Sequence, residues 1–251
     1  MAEDILQVED LTKSFDGNTI MDNIHFSIPR GELSAIIGPN GAGKTTLFNL
    51  ITGYHLPDSG KILLEGRNIV GKQPYEIVRL GIARAFQRTN IFPRLSVLEN
   101  MVATVISNRQ GALNMVTPVK KLKAVHERAY QVLESVNLAD AAERQSGTLP
   151  HGDQKRLDIA LALALEPKLL LLDEPTAGIS PEERWQTIDL VHELWQRLGI
   201  TMLFIEHDMD IVFKISQMIR VLCYGSLLAE GTPAEISKNE KVIEAYLGVE
   251  V

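Results

Sequence analysis

Gly38-Pro39-Asn40-Gly41-Ala42-Gly43-Lys44-Thr45-Thr46 lies between the apolar runs Leu33-Ser34-Ala35-Ile36-Ile37 and Leu47-Phe48-Asn49-Leu50-Ile51. It fits the pattern G-x-x-x-x-G-K-[ST], a strand that ends in a glycine-rich turn and opens a helix. Such a turn aims several backbone N–H groups, and the positive end of a helix dipole, at one point. The loop can therefore wrap a polyphosphate. Glycines at 38, 41 and 43 let the backbone come close. Lys44 can reach the outer phosphates, and the Thr45 hydroxyl is placed to hold Mg²⁺.

A second landmark is Leu169-Leu170-Leu171-Leu172-Asp173-Glu174. An apolar strand ending in an acidic pair delivers carboxylates to the crevice at the carboxyl edge of a parallel sheet. Asp173 suits a Mg²⁺ ligand, direct or through water, and Glu174 suits a group that orients or deprotonates an attacking water. Between and around these landmarks the pattern alternates. Short strands at Ile5–Val8, Ile20–Ile28, Leu33–Ile37 and Lys61–Leu64 come first. Ser96-Val97-Leu98-Glu99 reads as a capping box opening one helix, and Val119–Val136 as a second, longer one. From Leu169 onward apolar strands (Leu169–Asp173, Thr201–Glu206, Ile219–Tyr224) alternate with helices (Pro181–Leu198, Asp208–Ile215). This predicts an α/β fold with a mostly parallel sheet covered on both faces.

With 251 residues the chain can bury a large core, and its formal charge of −7 argues against a nucleic-acid partner held by the protein's overall field. The basic cluster Lys120-Lys121-Lys123 reads as a solvated helix face. Cys223 is the single cysteine and falls in an apolar strand, which predicts a buried thiol in a reducing compartment. Met1-Ala2-Glu3-Asp4 leads straight into a strand pattern, so no secretory signal is expected. The apolar runs fall short of the roughly 20 residues of a membrane span, so any membrane role is expected to come through a partner.

Together these motifs resemble the nucleotide-binding subunit of an ATP-binding cassette (ABC) transporter over the whole chain. Gly38–Thr46 is similar to the family's Walker A loop and Leu169–Glu174 to Walker B. Gln87, after Ile82-Ala83-Arg84-Ala85-Phe86, resembles the Q-loop glutamine, and His207 the switch histidine. Leu149–Arg156 resembles the signature motif, Ala177-Gly178-Ile179-Ser180 the D-loop, and Phe15 the ring that stacks on adenine. The resemblance implies one ABC ATPase domain over 1–251. Residues 1–88 and 165–251 would form a P-loop (RecA-like) core with an N-terminal antiparallel β subdomain, and 89–164 an inserted helical subdomain. It implies ATP and Mg²⁺, with Gln87 as a further metal ligand and γ-phosphate sensor. His207 would bond the γ-phosphate and help Glu174 orient the water. Pro150, His151, Gly152 and Asp153 would close over ATP bound by a second ATPase subunit.

The signature departs from the usual Leu-Ser-Gly-Gly-Gln. Pro150 removes a serine hydroxyl and a backbone donor, and Asp153 places a negative charge where a phosphate would sit, so a weaker closure is expected. Ser180 stands where the D-loop commonly has aspartate, but with Pro181, Glu182 and Glu183 it makes a strong helix start. Gly81–Phe92, Leu95–Asn100, Ala177–Glu183, Ile205–Met209, Glu230–Ile236 and Val242–Gly248 are similar to ATPase subunits of the branched-chain (hydrophobic) amino acid uptake family. That resemblance implies two transmembrane permease chains, a second ATPase subunit and, indirectly, a substrate-binding protein. Arg88 to Phe92 would help form the groove for a permease helix. The chain would lie peripherally on the cytoplasmic face of a bacterial inner membrane. Two other readings stay open: a soluble ABC ATPase acting on DNA or ribosomes, and a dimerisation switch that hydrolyses ATP weakly.

Overall fold

The computed structural model describes residues 3–87, 89–108 and 123–247. Arg88, Lys120, Lys121, the predicted helical start at 119–122 and Gly248 lie outside the described residues.

Two long strands, β1 (Asp4–Phe15) and β2 (Asn18–Pro29), pair antiparallel across the turn Asp16-Gly17. They run further than the short apolar runs predicted, because polar residues continue the alternation along an outer face. Asp10 and Asn23, both at positive φ, mark the register shifts that twist the pair. With β4 (Ser59–Leu64) and β5 (Arg67–Asn68) they make a four-stranded antiparallel sheet.

The second sheet has the order β10-β9-β3-β8-β7-β6. Its members are β3 (Leu33–Ile37), β6 (Ile82–Ala85), β7 (Leu169–Asp173), β8 (Thr201–Ile205), β9 (Met218–Cys223) and β10 (Ser226–Gly231). All neighbours run parallel except β10, which folds back on β9. Every residue of β3, β7 and β8 is buried. Alternation across the pleat explains why continuous leucines are tolerated. Leu169 and Leu171 pack toward α1 (Lys44–Ile51) and the antiparallel sheet, whereas Leu170 and Leu172 face the helices of the other layer. Cys223 is buried and free at the end of β9, and Tyr224 leaves the strand at positive φ.

A short helix α2 (Pro74–Leu80) precedes β6. Between β6 and β7 the chain forms α3 (Val97–Asn108), α4 (Lys123–Ser135) and α5 (His151–Ala164), which pack on one another. Ser96 opens α3 as its sequence suggested: the Glu99 amide donates to its Oγ at 3.1 Å, and the Ser96 amide donates to the Glu99 carboxylate at 2.7 Å. α6 (Pro181–Leu198) begins with the same reciprocal pair from Ser180 and Glu183, and α7 (Met209–Ile215) with Asp208 as cap. α8 (Pro233–Ile236) and α9 (Glu240–Leu247) close the described chain. Among the described residues no helix is long and apolar enough to cross a membrane. The architecture is an α/β core with a mostly parallel sheet, an N-terminal antiparallel sheet and a helical insertion.

Candidate active site

The carboxyl ends of β3, β7 and β8 open on one edge, and three loops leave from it. After β3, Gly38 takes φ +152°, where a Cβ would stand 2.0 Å from the Leu222 carbonyl oxygen, so no side chain fits. Gly43 is left-handed and caps α1 without any side-chain bond. The first amides of α1 therefore stay available to an anion. Lys44 is buried and folds back over its loop, donating to the carbonyls of Gly38 at 2.7 Å and Pro39 at 3.0 Å. Burial pushes its ammonium below the ordinary lysine range, against the pull of Glu174 and Asp173.

A cavity of about 390 Å³ lies over this loop, lined by Asn40 to Thr46, Phe15, Ile20, Glu174 and His207. Phe15 is 37% exposed at the end of β1, with its ring edge-on to His55 at 5.2 Å. A larger cavity of about 540 Å³ opens elsewhere, between α4, the α5–β7 turn and the end of α6. It holds none of the residues singled out above, and the chemistry is concentrated in the smaller one.

Glu174, one residue past β7, has φ +47°, a costly conformation for a side chain that large. Its amide donates to the Ile205 carbonyl at 3.0 Å, which ties the turn to β8. Its carboxylate is gripped from both sides: Gln87 Nε2 donates to Oε2 at 2.6 Å, and His207 Nε2 lies 2.9 Å from Oε1. Three residues distant in sequence thus meet on one carboxylate beside Lys44 and the loop.

Asp173, 3% exposed, pairs through Oδ2 with Nη2 of Arg84 on β6. Its Oδ1 is buried without a hydrogen-bond partner. An orphaned carboxylate oxygen, taken with the Thr45 hydroxyl that lines the cavity and the Gln87 amide oxygen, makes an all-oxygen donor set that suits Mg²⁺. Mg²⁺ keeps waters and takes phosphate oxygens rather than a full protein cage. No cluster of three or more His, Cys, Asp or Glu able to hold a metal occurs among the described residues.

Sequence reasoning passed over two contributors. Arg84 also donates to Asn49 Oδ1 of α1 at 2.7 Å and lies 4.8 Å from the Phe86 ring centre, so it binds β7 to the helix after the phosphate loop. It is the one charge in Ile82-Ala83-Arg84-Ala85, and a charge in an apolar strand was the available signal. Glu206 is buried, accepts from the amide and hydroxyl of Thr176 at 3.0 and 2.6 Å, and from the His207 amide at 3.2 Å. Burial raises its carboxyl above the usual range despite these bonds. It fixes the loop carrying His207 to the turn after β7.

Pro150, His151, Gly152 and Asp153 do not line the cavity; they start α5, with Pro150 as its cap. Pro150 and His151 are exposed and Gly152 is buried against Glu183, where a Cβ would stand 2.7 Å from the carboxylate. Asp153 is bonded back to Arg156 at 3.4 Å. A cleft of about 380 Å³ lies between α2, the end of β6, α3 and α5, lined among others by Tyr75, Arg79, Phe86, Asn90 and Asp158. Among the described residues of the 88–92 stretch (89–92), Asn90 lines it, while Phe92 is 63% exposed outside it.

A phosphate loop on a parallel sheet edge, facing a clamped carboxylate, defines an ATPase of the P-loop class. A family model described as ABC transporter matches residues 21–177, and a model described as Branched-chain amino acid ATP-binding cassette transporter matches 226–251. The chain belongs to the ABC transporter family and is an ATP-binding cassette ATPase. It is 39% identical to the high-affinity branched-chain amino acid transport ATP-binding protein BraF of Pseudomonas aeruginosa. To LivG, the protein of the same description from Salmonella typhimurium, it is 38% identical, with 99% of each chain covered in both cases. It is also similar to the crystal structure of an ABC transporter cassette in its ADP conformation, with a TM-score of 0.87 and 34% identity over 98% of this chain and 99% of that one.

Proposed function

We propose that this chain is the ATP-hydrolysing subunit of an importer for branched-chain amino acids or a related small solute. The observation that carries the hydrolytic part is the Glu174 carboxylate held between Gln87 and His207 at the rim of the phosphate-loop cavity. The match at 226–251 and the named relatives support the branch.

In this reading Gly38 to Thr46 wrap the triphosphate with backbone amides, and Lys44 leaves the carbonyls of Gly38 and Pro39 to meet the β- and γ-phosphates. Phe15 stacks on adenine. Glu174 orients the attacking water and accepts its proton, and His207 bonds the γ-phosphate while keeping the carboxylate aimed. Gln87, bonded here to Glu174, would offer its amide oxygen to the metal when one is bound. Asp173, Thr45 and Gln87 would hold Mg²⁺, which supplies charge neutralisation to the phosphoryl group in flight. Catalysis is then positioning plus electrostatics.

The other half of the site comes from a second ATPase subunit, a copy of this chain or a paralogue. The Pro150–Asp153 segment stands outside the chain's own cavity, which supports a role on ATP bound by the partner. Residues 1–88 and 165–251 act as the catalytic core and 89–164 as the moving helical part. The cleft lined by Phe86, Asn90 and Asp158 receives a helix from one of two transmembrane permease subunits. In this reading the chain lies peripherally at the cytoplasmic face of the membrane, with a substrate-binding protein on the far side. Reconstitution with its permease chains into vesicles tests the reading. Internal ATP should drive leucine uptake, and Glu174→Gln should abolish it. Uptake that persists in the Glu174→Gln complex would overturn the proposal.

A further inference from the structure

α5 begins with the signature segment and carries two buried charges on its next turn. Lys155 and Asp158 are 6% and 4% exposed and, three residues apart, share one helix face. Their hydrogen bonds go to the loop after β6. Asp158 accepts from the Phe86 amide at 2.9 Å through Oδ2 and from the Asn90 amide at 3.2 Å through Oδ1. Lys155 Nζ donates to the carbonyls of Phe86, at 3.3 Å, and Gln87. The backbone on both sides of Gln87 therefore hangs on one turn of α5.

Taking two charges out of water is costly, and apolar side chains would have packed this helix face more cheaply. The cost is visible: burial pushes Lys155 down and Asp158 up to about 6. What the charges gain is directional hold on a segment of irregular backbone, which apolar contacts cannot provide. The Gln87 side chain then bonds Glu174 at 2.6 Å, so the path from helix to carboxylate is unbroken.

We propose that Asp158 and Lys155 are positioning residues for ATP hydrolysis: they lock the backbone at Phe86, Gln87 and Asn90 to the signature helix, so that displacement of α5 is passed through Gln87 to Glu174. The proposal rests on the reading of Gln87 and Glu174 given above. A docked segment in the cleft formed by Phe86, Asn90 and Asp158 would press on the same lock.

Asp158→Asn keeps the volume but turns an NH₂ toward one of the two amides, and Lys155→Met keeps the stem and loses the donors. In the purified full chain, amide exchange at Phe86 and Asn90 should quicken about tenfold in Asp158→Asn. Its kcat should fall about fivefold or more, with KM for ATP unchanged within about twofold. In a Gln87→Ala background the same substitution should cost less than about twofold, because a residue that acts through Gln87 has nothing left to position. Lys155→Met should repeat the pattern, and decides the matter if Asp158→Asn does not fold. Equal losses with and without Gln87, or unchanged exchange, would overturn the proposal. A wild-type chain inactive alone and with its partners would instead remove the hydrolytic reading, and the exchange measurement alone would then decide whether the lock exists.

Discussion

Replacing Arg84 with methionine tests how the metal-side carboxylate is held. Arg84 and Asp173 pair with side-chain exposures of only 6% and 3%, and the guanidinium also reaches Asn49 and faces Phe48 and Phe86. Methionine fills much of the volume but leaves Asp173 as a buried charge without its partner. Breaking such a pair costs about 3–5 kcal/mol. The lost bond to Asn49 adds about 1 kcal/mol, and burial of the methionine returns a similar amount. Arg84→Met should therefore lose about 3–5 kcal/mol. Urea unfolding of the purified chain at neutral pH measures this. Adding Asp173→Asn, which removes the unpaired buried charge, should recover at least about 2 kcal/mol. No recovery in the double variant would refute the reasoning.

Other outcomes follow from the same geometry. Glu174→Gln should lower ATP turnover by about 10²-fold or more while ATP still protects the fold, read as turnover beside the thermal midpoint with ATP. Asp158 is raised to about 6 in the folded chain by burial, with its Lys155 neighbour and the two amides pulling the other way. Its favourable contribution is fully present below about pH 4 and is lost as pH rises through 6. Relative to Asp158→Asn, the wild type should therefore gain about 1.3 kcal/mol of unfolding free energy between pH 7 and pH 5, and a loss over that range would be the wrong sign. Pro150→Ser restores a hydroxyl to the signature, so turnover in the assembled complex should rise; an unchanged rate argues against Pro150 as the weak point.

Much of the fold is legible in local pattern. β7 and α6 run over the predicted ranges Leu169–Asp173 and Pro181–Leu198, because a continuous apolar run and a Ser-Pro-Glu-Glu start each specify their element within a few residues. α2 and β10 escaped because a seven-residue helix and an edge strand that is mostly only partly buried leave little hydrophobic periodicity. Arg220 shows the same limit. It lies in the apolar run of β9, yet it is buried and joins Glu32 at 2.9 Å and Glu230 at 2.8 Å. Nothing in the spacing of those three residues announces the pairing.

By itself the sequence determined the phosphate loop, since a strand–glycine turn–helix with Lys44 and Thr45 in register is a local object set by backbone sterics and the start of one helix. It also determined the acidic end of β7 and the order of motifs. Only the tertiary structure decided that Gln87 and His207 close on the same carboxylate, that Arg84 is spent on Asp173, and that α5 grips the backbone around Gln87. Those contacts join residues 33 to 89 positions apart. Which groups meet there depends on strand order and on which face of a helix is buried, and burial makes each pairing obligatory by removing water as the alternative partner.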